Sequence, residues 1–200
     1  MLREPLHQET AHGVSIRVLY DEDPINCRDD DLFGHIVCFH KRYNLGDKDK
    51  VGLKHEDFSS WDEMEAHIWK ELKAVVVLPL SLHDHSGLRL FVGAERGWDT
   101  GRVGFAFFTK GNMEKSYGWE RTSKKRLKQI EDGMRSSVVE YNKFINNEVY
   151  GFVVEKEGQT ESCWGFYCQG QCLAEARREA AALASKLRHD EESCTRIMAL

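Results

Sequence analysis

The chain has 200 residues, 41% hydrophobic and 30% charged, which is enough apolar material for a packed core and too much for bulk disorder. Its net charge of −5 argues against non-specific nucleic-acid binding, which needs a basic surface to displace counterions, and leaves only a local basic patch for such a role. No apolar run approaches the roughly 20 residues that span a bilayer, so no membrane partner is expected.

In chain order, the start MLREPLHQETAHG lacks the apolar centre of a secretory signal. The expectation is a cytoplasmic protein whose six cysteines are reduced. Val14–Tyr20 alternates as a strand, and the acidic stretch from Asp21 to Asp31 reads as a loop. Leu32–His40 is a second strand, with Ile36, Cys38 and His40 on one face and His35, Val37 and Phe39 on the other. Ser60 and Glu63 match a capping box, and Trp61, Met64, Ile68 and Leu72 follow as a helical stripe. Val75–Leu82 is a buried strand in which Pro79 requires an edge or a bulge. Leu88–Val92 and Val103–Thr109 are strands; in the second, Val103, Phe105 and Phe107 face one way and Gly104, Ala106 and Phe108 the other.

Thr122–Asn147 predicts a long helix on the period of Leu127, Ile130, Met134, Val138, Tyr141 and Ile145, with a bend at Gly133. Val149–Lys156 and Glu161–Cys168 form a hairpin around Gly158, and Cys172–Leu187 is a final helix. The expected fold class is α+β: one domain over residues 1–200, a mostly antiparallel sheet with helices packed on one face, and flexible ends at 1–13 and 189–200.

Four constellations could carry chemistry. His83 and His85 share a face of a strand end, so both could ligate one metal, with Asp99, His40 or His35 as third ligand; the alternative is a polar turn before Gly87. Gly97-Trp98-Asp99-Thr100-Gly101-Arg102 sets an acid and a base between glycines, as a site or as a plain turn. The basic run Arg121, Lys124, Lys125, Arg126 and Lys128 opposes the dipole of the helix it begins, which points either to an anionic partner or to a solvated face. Ser162–Cys168 holds aromatics and cysteines that read as core, with Trp164 and Phe166 on one face. Cys163, Cys168 and Cys172 lack the paired CxxC spacing of a zinc ribbon, and no phosphate loop, GxSxG or HExxH occurs.

The segments FGHIVCFHKRYNLGDK, VVVLPLSLHDHSG, GWDTGRVGF, EVYGFVVE and SCWGFYC, in this order, resemble a family of proteins carried by bacteriophages and prophages. The resemblance spans about Leu32 to Tyr167 and implies a genomic context rather than a mechanism. Small phage accessory proteins often bind and block a host defence protein, so the resemblance implies an inhibitor of the anti-CRISPR or anti-restriction type. Its expected partner is a host protein or nucleoprotein complex in the host cytoplasm. The acids Asp21, Glu22, Asp23, Asp29, Asp30 and Asp31 are the expected partner-binding surface, suited to compete for a basic channel. The alternatives are a metal-dependent hydrolase of a phosphoester or nucleotide, with zinc or another divalent metal on His83, His85 and Asp99, and a regulatory or structural partner in the phage life cycle. Without that metal no cofactor is expected.

Overall fold

The computed structural model describes residues 4–29, 33–85, 87–93 and 100–198, with side chains as far as residue 190. The strands are β1 (His7–Ala11), β2 (Val14–Tyr20), β3 (His35–Cys38), β4 (Ala74–Asp84), β5 (Leu88–Val92), β6 (Thr100–Thr109), β7 (Tyr150–Lys156) and β8 (Gln159–Phe166). The α-helices are α1 (Lys48–Val51), α2 (Trp61–Lys70), α3 (Lys110–Tyr117), α4 (Lys124–Ile145) and α5 (Gln169–Met198). The class is α+β with antiparallel strands, as the sequence predicts, but the strands divide between two sheets. Contacts group the chain into two compact units, Met1–Ile25 with Asn147–Leu200, and Asn26–Asn146. Among the described residues no helix is long and apolar enough to cross a membrane.

The first unit is the sheet β1-β2-β7-β8 with α5 on one face. Val14, Ile16 and Val18 alternate inward from β2 and meet Phe152 and Val154 of β7. Cys172, Ala176, Ala180, Leu183 and Leu187 recur at helical spacing on α5 and close this core; the small alanines bring the helix close to the sheet. The predicted hairpin is present, joined by Glu157 and Gly158 at φ 53° and 78°, both positive as a two-residue type I′ turn requires. A register shift corrects one detail. Phe152 pairs with Cys163 and Tyr150 with Phe166, and Gly165 takes φ 89°. Phe166 therefore joins the core, while Trp164 lies over Gly151 on the open face, 45% exposed. Both ends that the sequence reads as flexible carry regular structure: β1 lies within 1–13, and α5 continues to Met198.

The second unit is the sheet β3-β6-β4-β5. Its core strand, β6, is buried on both faces from Val103 to Phe108. Ala106 and Phe108 pack with Ile36, Cys38 and Leu78 under Ile130, Met134, Val138 and Tyr141 of α4. Phe105, Phe107 and Val37 pack under Met64 and Ile68 of α2. Helices thus cover both faces. Val103 joins the α4 side rather than that of Phe105, because the β4–β6 register shifts between Leu80 and Ser81.

Pro79 sits beside that shift, and its carbonyl accepts from Gly93 N at 2.8 Å. Its missing N–H therefore faces β5 just where the ladder ends at Leu80↔Val92. Ser60 caps α2 as expected, its Oγ accepting from Glu63 N, but the Glu63 carboxylate accepts from Ser59 N and Oγ at 2.7 and 2.6 Å instead of closing the box on Ser60. Gly133 carries no break in α4; a Cβ there would stand 2.5 Å from the Phe33 ring, so the glycine makes room for an aromatic.

Candidate functional site

β3 pairs with β6 as far as Cys38↔Gly104, where a Cβ on Gly104 would stand 1.8 Å from Val37 O. Phe39 N still donates to Val103 O at 2.7 Å, and then the chain turns away through His40–Tyr43. β6 runs on beside β4, with Ser81↔Arg102, Leu82↔Gly101 and His83↔Thr100. Among the described residues, Thr100–Arg102 is paired on the β4 side only. The gap between this strand edge and the turn is a groove of about 630 Å³, lined by His40, Lys41, Arg42, Asp84, Gly101 and Arg102 with apolar Phe39, Leu82 and Val103.

Asp84 is anchored from two directions: Arg42 forms an ion pair with it, and Tyr43 Oη donates to its Oδ1 at 3.1 Å. The His40 ring stacks on Tyr43 with centroids 5.0 Å apart, and the Arg42 guanidinium lies 5.4 Å from the same ring. Across the groove, Arg102 Nη2 donates to Glu65 at 3.1 Å, and its guanidinium sits 4.5 Å over Phe105 and 5.8 Å from Trp61. Arg102 Nε is buried, with no hydrogen-bond partner among the described residues. The aromatic faces offset part of the charge burial, but among the described residues the N–H has no acceptor. Lys41 is exposed and has no ion pair among the described residues. Among the described residues Lys41, Arg42 and Arg102 stand against two carboxylates, Asp84 on Arg42 and Glu65 on Arg102, which leaves the exposed Lys41 as the cation in excess and a field that favours an anionic ligand.

The predicted metal residues lie at the same sheet end. Asp84 points away from its histidine neighbours, as the alternation predicts, and it lines the groove while they do not. The His83 and His85 ring centroids are 6.3 Å apart. Asp99 lies outside the described residues. His40 is committed to Tyr43, and His35 Nδ1 lies 3.2 Å from Asp47 Oδ2. Among the described residues no three His, Cys, Asp or Glu side chains are placed to hold a metal.

Of the six acids, Asp30 and Asp31 lie outside the described residues. Asp21, Glu22 and Asp23 belong to the first unit and Asp29 to the second. Asp21 Oδ1 accepts from Asp23 N at 3.2 Å, and Asp29 lies 3.7 Å from Lys50 Nζ.

Sequence reasoning missed Lys41, Arg42, Tyr43 and Glu65. The first three stand in a polar stretch that reads as a turn-rich loop, and only their place in the block FGHIVCFHKRYNLGDK marks them. It also missed a buried cluster near β3. Arg28 Nη2 donates to Gly34 O at 2.8 Å and to Asp47 Oδ2 at 3.2 Å, and Ile36 N donates to Asp47 Oδ1 at 2.7 Å. These partners tie the turn before β3 to the loop after it.

Compared with family models, with curated proteins and with solved structures, the chain matches none.

Proposed function

We propose that the protein acts by binding, and that the groove beside β6 receives an extended, acidic segment of a protein partner. The observation that supports this reading is convergence. His40–Arg42, Asp84 and Thr100–Val103 come from three separate sequence blocks of the phage-like resemblance, and all three line one groove. Among the described residues the groove offers a strand edge paired on the β4 side only, whose other side can take an added strand, and the exposed charge of Lys41, which favours an acidic one.

The phage-like resemblance supports a host defence protein, such as a CRISPR effector or restriction enzyme, as the partner class, met in the host cytoplasm. The acids Asp21, Glu22 and Asp23 of the first unit and Asp29 of the second are further candidates for contact with such a partner, and neutralising them together with Asp30 and Asp31 is the matching test.

The experiment is expression in hosts carrying defined CRISPR or restriction systems, with phage survival as the readout. Protection against at least one system is expected. It should be lost in Lys41→Glu/Gly101→Leu, which reverses an exposed charge and fills a position where an added side chain meets nothing within 4 Å. Unchanged survival across a broad panel removes the anti-defence reading. Protection that persists in the double variant removes the groove.

A further inference from the structure

A second surface of the Asn26–Asn146 unit stands apart from the groove. Between Lys110 and Lys128 the chain carries seven lysines and arginines against two carboxylates, Glu114 and Glu120, in a protein whose net charge is −5. This stretch comprises α3, the loop after Gly118 and the opening turns of α4, and neither helix has an acid in its first turn. Lys110 and Lys128 reach Glu114 and Asp132 at 3.8 and 2.8 Å. Arg121, Lys124 and Lys125 are exposed and have no carboxylate partner among the described residues.

The cations are held on a fixed frame. α3 begins with a reciprocal cap between Thr109 and Asn112 and ends at Gly118, whose φ is 65°. Trp119 then stacks on Tyr117 with centroids 4.2 Å apart and planes at 11°. The Arg126 guanidinium covers the Trp119 ring at 4.7 Å, and its Nη1 donates to Arg121 O at 2.7 Å. This stack ties the loop to α4 and sets Arg121, Lys124 and Lys125 beside a half-buried aromatic pair. Like charges fixed this way repel one another, and α4 presents the positive end of its dipole to them. A polyanion would relieve both effects.

We infer that this face binds the phosphodiester backbone of a single-stranded nucleic acid. Repeated phosphates match the repeated cations, and because Tyr117 and Arg126 already cover Trp119, an unpaired base would stack on the outer face of the Arg126 guanidinium. The overall negative charge does not prevent this, because salt at physiological strength screens charges more than about 8 Å away. The site shares no residue with the groove, so neither proposal depends on the other.

The test uses the full chain and a fluorescent oligonucleotide of about 20 mixed-sequence nucleotides, with anisotropy read from about 50 to 200 mM salt. With about five phosphate contacts, affinity should fall ~130-fold over that range. Arg121→Gln/Lys124→Gln/Lys125→Gln, all exposed, should bind more weakly and lose only ~7-fold. Lys54→Gln/Lys70→Gln/Lys186→Gln removes equal charge elsewhere and should behave as the unaltered protein. The inference is overturned by no binding at low salt up to about 100 μM protein, or by equal weakening in the two triple variants. Displacement of the oligonucleotide by oligo-glutamate of matched charge overturns it in favour of an acidic protein.

Discussion

The Asp47 carboxylate and the Arg28 guanidinium meet at 3.2 Å with side chains only 1% and 4% exposed. Asp47 also accepts from Ile36 N, so its loss leaves a buried cation with no counter-charge, held only by the Gly34 carbonyl, and a buried backbone donor without its acceptor. Breaking such a pair from one side typically costs about 3–5 kcal/mol. Asp47→Ala should lower unfolding stability by that order in urea titration, and a loss under about 1 kcal/mol would contradict the clamp.

Two glycines should respond differently to alanine. At Gly104 the new Cβ would stand 1.8 Å from a backbone oxygen, Val37 O, which cannot move without parting β3 from β6. At Gly151 it would meet the Trp164 ring at 2.0 Å, and that ring is 45% exposed and free to swing outward. Gly104→Ala should cost about 3 kcal/mol or more and Gly151→Ala about half that or less, read from denaturant midpoints. The reverse order would contradict the packing described.

Glu9 accepts from Arg177 through both carboxylate oxygens, at 2.7 and 2.8 Å, with His7 also in reach at 2.9 Å. These bonds, Arg177's first, hold its pKa down at about 2, against an ordinary 4.5. A depressed carboxylate stabilises the fold at pH above its unfolded value and loses that contribution as pH falls through the folded one. The link from β1 to α5 should therefore weaken between about pH 4.5 and 2. Carbon-detected titration of Glu9 checks this; Arg177→Gln should return the midpoint toward its ordinary value.

Burial pushes the Cys38 thiol up to about 12 and the Cys172 thiol up to about 11, while Cys163 and Cys168 are exposed. Alkylation of the native protein near about pH 8, followed by peptide mass spectrometry, should label Cys163 and Cys168 first and Cys38 only on unfolding. Early labelling of Cys38 would mean that the α4 side of the sheet opens readily.

The histidine pair has its own assay. The hydrolase alternative needs protein purified without chelator to carry about one equivalent of zinc, for which His83 and His85, with ring centroids 6.3 Å apart, would supply two ligands. About one equivalent that disappears in His83→Ala/His85→Ala would support the hydrolase reading.

Long periodic elements were legible in the sequence. The bounds of β2 and β5 coincide with those predicted, and the stripes of α2 and α4 bury Met64, Ile68, Ile130, Met134, Val138 and Tyr141 as their spacing requires. Two faces were misread for one reason: a single extra residue in a ladder reverses everything beyond it, at Val103 and again at Trp164. α3 was missed because it is short and polar; its signals were Thr109 three residues before Asn112 and the closing Gly118. In the groove, Asp84 and Arg102 lay inside or beside constellations already singled out. Their partners did not, because Arg42 and Asp84, or Glu65 and Arg102, meet only through the order in which β3, β6 and β4 lie side by side.

The Met1–Ile25 and Asn147–Leu200 unit is made from the two ends of the chain, with the whole of Asn26–Asn146 between them. During synthesis β1 and β2 therefore emerge before the Asn26–Asn146 unit but wait for β7, which pairs with β2, and for α5, which covers it. At about 5–20 residues per second that wait is roughly 6–25 seconds, long enough for the intervening unit to fold alone. Through that interval Val14, Ile16 and Val18 lack the β7 and α5 side chains that bury them, on a strand with one ladder unfilled. A ribosome that stalls before Asn147 would release a chain in which the Asn26–Asn146 unit is complete and the β1–β2 hairpin lacks β7 and α5, a substrate for chaperones or proteases.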